Sequence, residues 1–370
     1  MTKKKERRWT AAARLSTGVL AAVVGLLMLE LSPPGSGEVL EADRFNRGRS
    51  TAAVAAAAAP VENAPTRVVP LGGVFGVRLF TDGVIVAALS ELYTPDGPVC
   101  PAREAGIRPG DTLVAADGRP LGDNADAART LAAAGGQPVE LTVRRGEETF
   151  RTVVTPAASE GSFLTGMWIR DSAAGIGTFT FYEPESGKFA GLGHGICDVD
   201  TQALMTLKEG EPARIALCGV DPGRAGAPGT LKGYFDGETA LGVLLANNDT
   251  GVYGTLAEAP SGETVEVLPR EAVHTGEAEI LATVDEQGPR RYRARIVKVS
   301  GAEQRTRNLV VEITDPALLE RTGGIVQGMS GCPILQDGKL AGAVTHVFTE
   351  DPCRGYGIFA QTMCEELAAA

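Results

Sequence analysis

From about residue 67 onward, apolar residues come in short runs separated by Gly, Pro, Asp and Asn, the pattern of half-buried strands joined by turns. In the first part the runs are residues 74–79, 84–89, 112–116, 139–143 and 149–154, with one helix-like stretch at 124–134. Beyond residue 157 they continue as AGIGTFTFYEP, KFAGLGHGI, ALGVLLANN, ARIVKVS, RNLVVEITD, KLAGAVTHVF and GYGIFAQTM. Helical patterning returns at 316–321 and 363–369. Many strands of even size and few helices predict a mainly β protein whose later part is a sandwich or a pair of barrels.

The N-terminus is patterned differently. MTKKKERRWTAAAR is basic, and residues 15–29 then run without a charge up to Glu30. This is the form of a secretory signal or a signal anchor, with Lys and Arg kept on the cytoplasmic side. The run is shorter than the ~20 residues that span a bilayer comfortably. No Ala-x-Ala site follows closely, so an uncleaved anchor is preferred over a cleaved signal peptide. Residues 34–66, with their Pro, Gly and Ala tracts, read as a tether. The expected organisation is a cytoplasmic basic segment at 1–14, an anchor at 15–33, a linker at 34–66, one domain at 67–156 and another at 157–370, both outside the cytoplasm.

Composition narrows the chemistry. A formal charge of -11 over 370 residues, with no basic stripe beyond the N-terminus, argues against nucleic-acid binding. The 47 glycines and 22 prolines fit a turn-rich β protein. Six scattered cysteines, Cys100, Cys197, Cys218, Cys332, Cys353 and Cys364, form no Cys-x-x-Cys, and with three histidines in the chain a structural zinc site is not expected. No metal or other cofactor is called for.

The stretch GGIVQGMSGCPIL places Ser330 between small residues just before Pro333. Such a serine is either a turn residue or a nucleophile, because small neighbours let a carbonyl approach and glycine lets successive N–H groups point at one oxygen. A hydroxyl nucleophile needs a base, and the chain offers His194, His274 and His346. His194, in GLGHGICDVD, sits among small residues at a strand end. His274 reads as an exposed turn or strand residue, and His346, in GAVTHVF, as a core histidine or a neighbour of the site. His194 precedes Ser330 by 136 residues, the order found in chymotrypsin-like double β-barrel proteases.

Two resemblances sharpen this reading. CPAREAGIRPGDTLVAADGRPL resembles the PDZ hallmark at Ala102, Ala105, Gly106, Ile107, Gly110, Asp111, Leu113, Asp117 and Gly118, and the likeness covers residues 68–156. It implies that Gly76, Val77, Arg78 and Leu79 form the carboxylate-binding loop and the edge strand that receives a peptide. The alternative is that Val77 and Leu79 simply face a core. FAGLGHGICDVDT and ITDPALLERTGGIVQGMSGCPILQDGKLAGAVTHVFTEDPCRGYGIF resemble the stage IV sporulation protein B (SpoIVB) serine peptidases of endospore-forming bacteria.

That resemblance implies a PDZ domain followed by a double-barrel serine peptidase. Ser330 is then the nucleophile, His194 the general base and Asp315 the residue that orients it, and by analogy with the double-barrel enzymes the backbone N–H groups of Gly328 and Ser330 are the oxyanion donors. It further implies a membrane-anchored, self-cleaving enzyme that signals between mother cell and forespore. The enzyme cleaves a membrane-bound regulator of a metalloprotease and so leads to sigma factor activation. Two features depart from the double-barrel and family patterns. Asp315 lies 15 residues before Ser330, whereas Asp249 holds the midway position, and Cys332 stands where the family commonly has serine. That cysteine carries an expectation of oxidation sensitivity. The competing readings are an exported quality-control protease of the HtrA type and a PDZ scaffold with a degenerate peptidase domain.

Overall fold

The computed structural model describes residues 66–301 and 304–370. The basic segment, the expected anchor and the linker up to residue 65 lie outside the described residues. Among the described residues, no helix is long and apolar enough to cross a membrane.

Two long strands organise the molecule. Val74–Leu89 runs unbroken through both of the apolar runs that the sequence separates at Thr81–Gly83. Antiparallel to it lies Met167–Glu183, paired from Val74↔Thr178 at one end to Leu89↔Met167 at the other. The register shifts between Arg170 and Ser172, and this bulge divides the ribbon into two stretches that serve different domains.

Everything with PDZ character hangs from one end of this ribbon. Strands Thr112–Ala116, Val139–Arg145 and Glu148–Val154 and helix Asn124–Ala133 all fall between the two long strands in sequence. Their core is Val84, Val86, Ala102, Ile107, Leu113, Leu141 and Val143, the inward side of alternating strands, closed by Ala127 and Leu131 one helical turn apart. Asp123 caps that helix by accepting from the Asp126 N–H at 2.7 Å. The expected boundary at 156/157 falls within this packed unit, since residues 157–164 pack on Leu92–Thr94 and on helix Asn124–Ala133. Residues 67–81 belong with the second domain, and residues 157–170 pack with the first, because a strand obeys its pairing partner rather than local composition.

The second domain has two halves. The first is an open sheet in which Gly242–Asn248, Gly251–Leu256, Lys188–Gly191, Met167–Glu183 and Val74–Leu89 lie side by side. Leu207–Asp221, itself paired with Thr230–Ala240, covers the other edge of Val74–Leu89. Phe75, Phe179 and Phe189 fill its core, Phe75 stacked on Phe179 with centroids 4.0 Å apart. The second half is a closed barrel of Gly276–Ala282, Arg290–Val299, Leu309–Ile313, Asp351–Phe359, Lys339–Phe348 and Pro333–Gln336. Alternation explains its wall: along Arg290–Val299, Tyr292, Ala294 and Ile296 face in while Arg291, Arg293 and Arg295 face out. The C-terminal helix Ala360–Ala369 clasps the two halves, packing Met363 and Leu367 with Phe181 and Ala190 from the sheet and Leu340 and Ile358 from the barrel.

Candidate active site

Ser330 lies in the turn that leads into barrel strand Pro333–Gln336 and is partly accessible. Strand Met167–Glu183 grips this turn from the opposite half. Thr178 donates its N–H to the Ser330 carbonyl at 2.9 Å and its hydroxyl to the Gly328 carbonyl at 2.8 Å. The Thr180 hydroxyl donates to the Gly331 carbonyl at 2.8 Å. Gly331 has φ 96°, and a β-carbon there would stand 2.0 Å from the Thr178 carbonyl oxygen, so only glycine fits.

The turn's N–H groups divide into two sets. Met329 donates to Val326 O at 3.0 Å, Gly331 to Val344 O at 2.7 Å and Cys332 to Met329 O at 3.0 Å. The N–H groups of Gly328 and Ser330 have no acceptor among the described residues. These two unpaired amides flank Met329, and the carbonyls of the same two residues are tied back by Thr178.

His194 follows strand Lys188–Gly191 through two left-handed residues, Leu192 at φ 66° and Gly193 at φ 70°. This reversal brings the segment against the barrel. A β-carbon on Gly193 would meet the Thr345 methyl at 2.9 Å, and Thr345 is the residue whose carbonyl accepts from the Ser330 hydroxyl at 2.6 Å. The segment that carries the histidine and the serine turn therefore both pack on Thr345, where sheet and barrel touch, and the serine hydroxyl is bonded to Thr345 O.

The imidazole is already in the tautomer a general base needs. His194 Nδ1 is 2.8 Å from the Gly195 carbonyl, which can only accept, so Nδ1 carries the proton and Nε2 keeps a lone pair. Burial lowers its pKa below the ordinary 6.5, and the nearby charge of Arg307 lowers it further against the opposing Gly195 bond. The His346 ring lies 4.7 Å from that of His194. Burial, then His194 and Arg307, push His346 down to about 3, and its Nδ1 is buried without a hydrogen-bond partner. Both rings are therefore neutral near pH 7.

Other expectations are corrected by the geometry. Asp315 is not brought to His194: Oδ1 accepts from Ala317 N at 3.0 Å and Leu318 N at 3.3 Å, while Oδ2 accepts from Arg293 N at 3.2 Å. It is the N-cap of helix Pro316–Thr322. Burial works to raise its pKa, but these backbone donors and Arg293 hold it below the ordinary value. Asp249 is exposed in the turn before Gly251–Leu256, and no hydrogen bond joins it to His194 among the described residues.

Gly76, Val77, Arg78 and Leu79 are not an edge. They pair with Ile176, Gly175, Ala174 and Ala173 on one side and with Ala213, Pro212, Glu211 and Gly210 on the other, so no peptide can add there. Val77 and Leu79 are core residues of the open sheet. His274 sits on the surface, 3.1 Å from Asp337. Cys332 is fully buried and its thiol is pushed up to about 12 by burial, which removes the thiolate that oxidation requires. All six cysteines are unpaired.

Sequence reasoning undervalued His346 and missed Thr178, Thr345 and Arg307. Only His346 carried a signal, its place on the strand after the serine.

No curated protein matches the chain. A PDZ domain matches residues 97–145, within the unit suspended from the long ribbon. The model of the SpoIVB peptidase S55 family matches residues 161–364, more than half of the chain and the whole of the serine and histidine site. The chain therefore belongs to the SpoIVB peptidase S55 family and is a serine peptidase that carries a PDZ domain.

Proposed function

We propose that Ser330 is the nucleophile and His194 its general base in peptide-bond hydrolysis. His194 Nε2 takes the hydroxyl proton as Oγ attacks the substrate carbonyl. The N–H groups of Gly328 and Ser330 receive the developing oxyanion, and the imidazolium returns the proton to the leaving amine. Water then hydrolyses the acyl-enzyme with the same base. The observation that carries this reading is the pair of unengaged amides at Gly328 and Ser330 beside a histidine held with Nε2 free. The resemblance assigns the orienting role to Asp315. The arrangement of bonds favours the Gly195 carbonyl in that role and gives Asp315 a capping role.

The finer assignment rests on the family resemblance and the N-terminal sequence. In it the enzyme is anchored by residues 15–33 with its domains outside the cytoplasm, in the space between forespore and mother-cell membranes. It cleaves itself and then a membrane-bound regulator of a sporulation metalloprotease, which leads to sigma factor activation. The test is to express the full chain beside Ser330→Ala in spheroplasts and follow its size and its digestion by added protease. Self-cleavage in the wild type alone, with the C-terminal domain digested from outside, supports the reading. Cleavage that persists in Ser330→Ala, or a domain protected together with a cytoplasmic marker, overturns it.

A further inference from the structure

The loop that carries the base is held from the PDZ side of the molecule. Arg170 lies at the bulge of the long ribbon, one residue past the stretch that packs into the PDZ core through Met167 and Ile169. Its guanidinium crosses to the loop after His194, where Nη1 donates to Asp198 Oδ2 and Nη2 donates to Asp200 Oδ2 at 2.8 Å. The Asp198 side chain is fully buried. Its other oxygen shapes the loop from within, accepting from Asp200 N at 3.1 Å and from Thr201 N and Oγ1 at 3.0 Å. One carboxylate oxygen thus folds the loop on itself and the other faces Arg170. A buried carboxylate persists only with such a partner, so the ion pair fixes where the loop sits.

A second tie comes from the peptidase sheet, where Asn247 exchanges hydrogen bonds with Ile196 and donates to Met205 O. Between these two ties the segment from His194 to Asp200 has little freedom. The residue next to Arg170 reaches the opposite way: Asp171 Oδ2 accepts the Asn124 N–H, at the start of the PDZ helix Asn124–Ala133, at 2.9 Å. Further along the same strand, Thr178 holds the carbonyls of Gly328 and Ser330. A single strand therefore connects the PDZ helix, the histidine loop and the serine turn.

We propose that Arg170 is a positioning residue of the peptidase, which sets His194 relative to Ser330 through Asp198 and Asp200. The inference rests on the catalytic reading of Ser330 and His194. A displacement of the base by about 1 Å is enough to cost about 10²-fold in rate without touching substrate binding.

The experiment measures fluorophosphonate labelling of Ser330 in the full chain, resolved into a saturation constant and a maximal rate, beside thermal unfolding. Arg170→Met is expected to lower the maximal rate by about 10²-fold with the saturation constant unchanged, and Arg170→Lys to recover part of it. Arg170→Met leaves a buried charge unpaired and loses stability for that reason. The double variant Arg170→Met with Asp198→Asn removes both charges and is expected to regain the unfolding temperature while the rate stays low. A double variant that labels as fast as the wild type overturns the proposal, since Arg170 would then serve stability alone. A wild type that Ser330→Ala shows to be unlabelled at Ser330 overturns the catalytic reading, and this inference with it.

Discussion

The two halves that meet at the site are built to different standards of constraint. The serine stands on a closed barrel, in a turn whose carbonyls and alternate N–H groups are bonded to Thr178, Thr180, Val326, Val344 and Met329. The histidine stands on an open sheet that runs on into the PDZ domain, in a loop tied by Arg170 and Asn247 side chains. A barrel has no free edge, whereas the open sheet continues through Val74–Leu89 into the strands of the PDZ unit. The comparison teaches that the serine turn is held largely by backbone groups, whereas the place of the histidine loop depends on two side chains, Arg170 and Asn247.

The largest test of this division removes either partner. Ser330→Ala and His194→Ala are each expected to lower peptide hydrolysis by about 10⁴-fold or more, and the double variant to be scarcely worse, because residues acting as a unit are not additive. Clearly additive losses in a hydrolysis assay would mean that the two do not act on one step.

Next in size is the grip between the halves. Thr178→Val removes the hydroxyl bond to the Gly328 carbonyl and leaves that buried acceptor unpaired, at a cost of about 1–3 kcal/mol in a denaturation experiment. Labelling of Ser330 should also slow, by about tenfold, equivalent to about 1.4 kcal/mol. Loss of stability with an unchanged labelling rate would show that the serine turn keeps its shape without the sheet.

Acid distinguishes the halves by charge. His194 and His346 both have pKa values lowered by burial from 6.5, His346 to about 3, so the native state stays neutral at a pH where the unfolded chain binds protons. Where the unfolded state binds more protons, stability rises with pH. It is therefore expected to be complete above about pH 6.5 and to fall as pH drops from 6.5 toward the native values. Labelling should persist below pH 6.5, because His194 is still unprotonated there. His346→Gln should flatten the stability loss without abolishing labelling; an unchanged slope would remove His346 from the account.

Asp315→Ala tests whether the barrel's helix cap has any part in catalysis. A cap costs about 1 kcal/mol when removed, and the labelling rate and its pH profile should be retained. A large fall in the rate would restore Asp315 to the orienting role that the resemblance implies. The smallest effect is expected at Cys332, where a thiol reagent should not react with the native chain because the buried thiol stays protonated. Rapid modification would show that the core beneath the serine opens.

Much of this was legible beforehand because it depends on local patterning. The alternation in 139–143 and 149–154, the helix beginning near Asn124 and the glycines around Ser330 each report on a residue and its near neighbours in sequence. What failed were inferences about pairing. The run containing Gly76 reads as an edge strand until Leu207–Asp221 covers it, and that strand lies more than a hundred residues away. Asp315 is a triad member only by what the family resemblance implies, against its unusual nearness to Ser330, and its place ahead of Pro316 is where a cap forms. Arg170 carries no motif at all, since its role exists only through contact with Asp198 and Asp200.

The sequence by itself determined that this chain is mainly β, that a PDZ unit accompanies a Gly-flanked serine, and that His194 is the histidine set among small residues. The first and last follow from side-chain periodicity and from the few residue types that tolerate tight turns, and the PDZ unit follows from the resemblance of residues 100–121 to a known motif. Tertiary structure alone decided that the PDZ unit hangs from a shared ribbon, that Gly195 rather than an aspartate meets the imidazole, and that His346 joins the site. Each of these depends on which distant backbones share hydrogen bonds, and a backbone N–H or C=O is the same in every residue but proline, so sequence carries no mark of its partner.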